Sequence, residues 1–274
     1  MYGLEVRIGS IRGLVALHVY RVLLEEVRSL LAEVDQQSRR VGSATTEPSH
    51  MTWAVRHEQD ATGLRLRLEP FELDVDQQRV LRAAEAVVVG IHQLAFEPVI
   101  PPFYTEDAVS TLAKFAARRG SAGVDRLDLA AVNGQILDEA EVNETVRRNA
   151  NTSVALATAA VGSIEGVVDV LQGGAKASRR AVVYDLHLRR SVRVRLQPEQ
   201  VELFHRAWGK HVAVRGLISY NRRGQPIRVD ATELLELEPP QPGQRLAELV
   251  GVAPAWTGGR PVQDLMHDLR RRGG

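Results

Sequence analysis

The chain has 274 residues, 44% apolar and 25% charged, an ordinary globular composition long enough for two domains. It carries no cysteine, which excludes disulfides, thiolate metal sites, iron–sulfur clusters and a cysteine nucleophile. The net charge of +1 hides a division: 17 Lys/Arg stand against 22 Asp/Glu in residues 1–160, but 13 against 9 in residues 161–238. The second half is therefore modestly basic and suited to nucleic acid or to an acidic protein surface. No apolar run reaches the ~18 residues that cross a bilayer. The N-terminus shows no basic-then-apolar leader, so a cytoplasmic location is expected.

Leu4–Ile8 alternates like a short strand. A long helix follows, with Tyr20, Leu23, Leu24, Val27, Leu30, Leu31 and Val34 on one stripe, and Arg39–Ser49 reads as a surface loop. Met51–Arg56 and Leu64–Glu69 form a hairpin pattern in which Leu64, Leu66 and Leu68 oppose Arg65, Arg67 and Glu69, the mark of a sheet with one wet face. Asp74 and Gln77, at capping-box spacing, open a second helix that runs to Phe96 and stops before Pro98, Pro101 and Pro102. A helix over Thr105–Arg119, a strand over Val124–Ala130 and a short helix over Glu139–Asn149 complete a mixed domain, residues 1–150. The small, polar stretch Asn149–Ala160 marks its boundary.

Residues 161–238 are the most informative. Gly162–Leu171, Arg180–Leu186 and Ser191–Leu196 alternate as three strands, the first turning at Gly173 and Gly174. A helix starting at Pro198 then presents Val201, Phe204 and Trp208 as its buried side and ends at Gly209. His211–Tyr220 and Pro226–Leu237 supply two more strands across the turn Asn221–Gly224. Three strands, a helix and two strands is the order of a five-stranded OB-type β-barrel, with Gly166 and Gly216 where tight curl excludes side chains. Pro239–Gly243 forms a stiff linker, and residues 239–274 hold two short amphipathic pieces. The expected fold is α+β: a mixed N-terminal domain, the barrel and a short helical tail.

Nothing in the chain reads as catalytic. The eight histidines form no metal-ligand pair, no glycine-rich phosphate loop or nucleophile elbow occurs, and the acidic residues fall on wet faces. No metal, cofactor or active site is expected. Two binding modes compete. Arg179, Arg180, Arg189, Arg190, Arg193, Arg195, Arg222 and Arg223, with Tyr184 and Tyr220 as stacking rings, would let the barrel hold single-stranded nucleic acid, although both tyrosines also fit inward-facing rows. Alternatively Leu246, Leu249, Val250, Trp256, Val262, Leu265, Met266 and Leu269, with Arg270 at the end, form an apolar face that would dock in a groove on another protein, or fold back onto the chain itself.

Gly162–Gly166, Val183–Asp185, Gly209–Gly216 and Ile218–Pro226 resemble an uncharacterised bacterial family with an OB-like C-terminal barrel. Leu246–Gly251, Thr257–Pro261 and Leu269–Arg270 resemble the toxin-wrapping ends of antitoxins paired with PIN-domain ribonucleases. The second resemblance implies that Leu249, Trp256, Leu265 and Leu269 anchor in a nuclease and that Arg270–Arg272 meet its acidic pocket. The expected function is that of a non-enzymatic, antitoxin-like binding protein. Single-strand binding is the alternative.

Overall fold

The computed structural model describes residues 2–10, 15–39, 51–60, 63–72, 74–121, 123–172, 180–185 and 188–237. The loop expected over Arg39–Ser49, the turn at Gly173-Gly174 and the whole tail from residue 239 lie mostly or wholly outside them. The chain is α+β, as expected, with an antiparallel sheet under helices and a closed five-stranded barrel.

The sheet layer is built on β1 (Tyr2–Gly9), whose Leu4, Val6 and Ile8 are buried on one face. Helix α1 (Leu17–Arg39) lays Leu23, Val27, Leu30, Leu31 and Val34 into the same core. The hairpin of β2 (Trp53–Asp60) and β3 (Gly63–Pro70) pairs Val55 with Leu68. Helix α2 (Gln77–Phe96) starts two residues later than a cap at Asp74 implies, because Asp76 accepts the Gln78 N–H at 3.0 Å. Helix α3 (Glu106–Ala116) is capped by Thr105 and stops short of Arg119. Then come β4 (Arg126–Asn133) and β5 (Ile136–Glu141), in the order β2-β3-β1-β4-β5.

The expected helix over Glu139–Asn149 is corrected. Residues 136–141 pair with β4, and α4 (Glu144–Val154) begins only where Asn143 Oδ1 accepts the Thr145 and Val146 N–H groups at 3.0 and 3.1 Å. The other face of the sheet carries charged side chains that cover one another: Glu5, only 2% exposed, accepts Arg7 at 2.7 Å and Arg67 at 3.0 Å.

The barrel consists of β6 (Thr158–Gln172), β7 (Arg180–Asp185), β8 (Arg190–Arg195), β9 (His211–Tyr220) and β10 (Pro226–Glu236). It closes in the order β10-β8-β7-β6-β9, every pair antiparallel except β8 with β10. β6 is long because it serves two neighbours, β9 along its first part and β7 along its second. Two glycines allow the curl. A Cβ on Gly166 would lie 2.1 Å from the Tyr184 carbonyl oxygen, and one on Gly216 would lie 2.1 Å from that of Asp230.

Between β8 and β9 a 3-10 turn, Pro198–Gln200, leads into the short α5 (Val201–Arg206). Phe204 is fully buried in the barrel core and Val201 packs against it. Trp208 departs from expectation: it is 62% exposed. Its position follows from the early end of the helix at Arg206, which brings Ala207 rather than Trp208 under the barrel, while Gly209 at φ +73° turns the chain away. Among the described residues no helix is long and apolar enough to cross a membrane.

The glycine contacts set a graded expectation. Gly216→Ala should destabilise the protein by about 1–3 kcal/mol in urea unfolding, since backbone must move to admit the methyl group. Gly162→Ala should cost less, because the atom it meets is the flexible Ile218 Cδ1 at 3.2 Å. Equal losses in the two variants would contradict this account of the curl.

Candidate functional site

The sheet layer and the barrel meet along a polar seam within one compact unit, Met1–Leu237. At one end the β9–β10 turn reaches across. Gln225 accepts the Ile100 N–H at 2.8 Å and donates to the Ile100 carbonyl at 3.0 Å, while Asn221 donates to the Ser153 carbonyl at 2.8 Å. Asn221 is 2% exposed and is itself fixed by accepting from the Gln225 N–H at 2.9 Å. Further along, the Phe103 N–H donates to the Arg189 carbonyl at 2.9 Å. Phe103 (φ +65°) and Arg189 (φ +51°) are the only non-glycine residues at positive φ among those described. The positive-φ strain of the described residues is thus gathered at this contact.

Beside it lies a cleft of about 170 Å³ between the C-terminal turns of α1, the N-terminus of α3 and the outer face of the barrel. α1 is held in place by a buried two-point pair, Arg79 to Asp35 at 2.8 and 2.7 Å. That orientation turns Glu33, Gln36 and Gln37 into the cleft. Thr105 does double duty: its oxygen accepts the Ala108 N–H at 3.0 Å, and its hydroxyl donates to the Glu33 carboxylate. From the barrel, Ser191 donates to Gln37 Oε1 at 2.7 Å. Arg193 bonds Asp107 and lies 3.6 Å from Glu106. Arg190 enters at the start of β8, 2% exposed, and donates to the Pro226 carbonyl at 2.7 Å.

Burial sets the electrostatics. It pushes the Glu33 carboxyl above the usual range, and nearby Asp107 adds to the rise against the Thr105 hydroxyl and Arg193. Glu106 is raised for the same reason, by burial first and by Asp107. Arg190 is pushed down to about 10 by burial, with Asp185 opposing. Burial also opposes the charge on Arg193, but Asp107 and Glu106 outweigh it and raise its value. Burial thus disfavours the charged form of Glu33, Glu106 and Arg190 alike. Among the described residues no group of three or more His, Asp or Glu side chains could hold a metal ion.

The arginines proposed from sequence do not share one open groove. Arg189, Arg190, Arg193 and Arg223 lie along the seam, Arg223 donating to Glu97 at 2.7 Å. Arg195 is exposed, 3.6 Å from Asp230, and Arg180 and Arg222 are exposed elsewhere. Tyr220 is half-buried against the barrel core. Tyr184 alternates with the core residues Ala181 and Val183, so it stands on the outer row rather than the inward row read from sequence, yet it is only 2% exposed. Arg179, Leu246, Leu249, Val250, Trp256, Val262, Leu265, Met266, Leu269 and Arg270 lie outside the described residues.

Sequence reasoning missed Glu33, Gln37, Thr105, Asp107 and Gln225. Thr105-Glu106-Asp107 reads as a capped helix start, and nothing local ties it to Arg193, 86 positions away from Asp107. No family model, curated protein or solved structure matches the chain.

The raised Glu33 value has a consequence for stability. A carboxyl whose folded value exceeds its unfolded value binds its proton more tightly in the native state, so stability is lost as pH rises from about 4.5 through the folded value. Glu33→Gln removes that loss and keeps an acceptor for Thr105. Urea unfolding should find the variant more stable than the parent at pH 7–8, with the gap closing below pH ~4.5. A variant that is less stable at neutral pH would show that the ionised carboxylate is well compensated.

Proposed function

We propose that this chain is a non-enzymatic binding protein. In this reading an OB-type barrel is locked to an α+β layer, and the tail after Leu237 docks a protein partner as antitoxins dock PIN-type nucleases. The OB reading is supported by connectivity: a helix between the third and fourth barrel strands, and a parallel closure of the third strand on the fifth.

One observation carries the choice of a protein over a nucleic acid. Cations of the third barrel strand and of the β9–β10 turn are taken up by carboxylates and carbonyls of the same chain: Arg193 by Asp107, Arg223 by Glu97, Arg190 by Pro226. A single strand needs a continuous run of accessible cations with aromatic faces beside them. Here Tyr184 is buried and Tyr220 is half-covered. The sequence of the tail supports the partner: Val262, Leu265, Met266 and Leu269 fall at helical spacing beyond a proline-rich linker, a pattern that fills apolar grooves.

RNA cleavage by a PIN-domain nuclease from the same genome tests the reading. Cleavage should be suppressed by the full chain, and suppression should fail with Leu265→Glu and Leu269→Glu together. In parallel, anisotropy of a labelled oligothymidine should show weak binding. Unimpaired cleavage, together with tight oligothymidine binding that falls by about one log–log slope unit per phosphate contact, would replace this reading with the nucleic-acid one.

A further inference from the structure

The first half of β6 has a neighbour on one side only, and the reading above does not use it. We propose that this edge is a homodimer interface, in which the Ala159–Ser163 segments of two copies pair antiparallel about a two-fold axis at Val161. Three features carry this. The first is an open ladder. β9 pairs with β6 from Thr158 to Val167 without a break in register, whereas β7 joins the other edge only from Val167 onward. The Val168 N–H bonds the Lys210 carbonyl at 3.2 Å, and alternate residues of an antiparallel ladder bond the same neighbour. Thr158, Ala160 and Gly162 therefore aim their backbone groups at β9, and Ala159, Val161 and Ser163 aim theirs at the open edge, where no strand meets them among the described residues.

The second feature is exposure. Residues 155–161 are all exposed, Val161 at 74%. Leu217, opposite Val161 on β9, is 44% exposed. A second copy placed about the axis brings the two valines together and makes one apolar row of Leu217, Val161, the partner's Val161 and the partner's Leu217. Pairs of this kind across strands are the unit of sheet stabilisation.

The third feature selects the occupant. A two-fold interface sets a segment against itself, so like charges must not meet across it. No charged residue or proline occurs between Asn149 and Ile164. With the axis at Val161, Ala159 faces the partner's Ser163, and the first charge reached, Glu165, faces the partner's Ala157. The outer strands of the N-terminal sheet differ. β5 carries Asp138, Glu139 and Glu141, which would set carboxylates against carboxylates in a self-pair, and β2 carries Arg56. Such charges are a common guard on a sheet edge, and the open half of β6 lacks them.

Sedimentation velocity on the full chain, over roughly 1–300 µM to cover the weak association of a small interface, tests the proposal. The parent should pass from monomer to dimer within that range. Val161→Lys and Val161→Glu each place like charges face to face at the axis and should each raise the dimer dissociation constant by about tenfold or more. Mixing the two variants should restore dimers, because lysine then faces glutamate. The side chain stands in water, so both variants should keep the parent's circular dichroism. A parent that stays monomeric throughout, dimers that survive both substitutions, or a mixture that associates no better than either variant alone would each overturn the proposal.

Discussion

The described fold depends on a backbone hydrogen-bonded joint. Gln225 meets both the N–H and the carbonyl of Ile100, Asn221 reaches Ser153, and Phe103 pairs with Arg189. Such bonds are directional and tie the β9–β10 turn to fixed points of the layer, while Ile227 at the start of β10 packs into the layer's apolar core. Each is worth only about 1 kcal/mol net, but leaving one of these groups buried and unmade costs about 1–3 kcal/mol. Orientation follows from that asymmetry. The Arg223–Glu97 pair across the same joint has both side chains substantially exposed and adds little.

The joint also explains the uneven charge of the chain. The acidic excess before residue 160 and the basic excess after it face each other where Glu106 and Asp107 meet Arg193 and where Glu97 meets Arg223. A charge division that suggests an external polyanion from sequence is in part internal complementarity. The buried Arg79–Asp35 pair belongs to the same design, because it fixes how α1 lies on α2 and so where Glu33 and Gln37 stand. Breaking it by removing one partner would cost about 3–5 kcal/mol, while its net contribution as a pair is smaller. Its role is chiefly positional.

What the sequence made legible is what short-range periodicity encodes. Leu64, Leu66 and Leu68, or Val192 and Val194, alternate because one face is buried, and the structure buries Leu66, Leu68, Val192 and Val194. Gly166 and Gly216 stood out because a strand seldom tolerates glycine without cause, and a carbonyl 2.1 Å from each missing Cβ is the cause. Helix ends were less legible. Trp208 continues the stripe of Val201 and Phe204 only if the helix persists, and the helix stops at Arg206. Asn143 hid a cap inside what looked like helix. The cleft was not legible at all, since pairing Arg193 with Asp107 requires the docked arrangement of both layers.

The strain at Arg189 ties these strands of argument together. A non-glycine residue in the left-handed region costs on the order of 1–3 kcal/mol and persists only where its surroundings over-determine it. At Arg189 the surroundings are the Phe103 N–H, which bonds its carbonyl, and β8, which begins at the next residue. Turning the chain there brings Arg190 to the Pro226 carbonyl, at the start of the strand that β8 pairs with in parallel. A parallel pair cannot be joined by a tight turn, so its strand starts need another tie, and this buried guanidinium provides it. The same residue lines the cleft between the layers, so the closing of the barrel and the shape of that cleft are consequences of one backbone conformation.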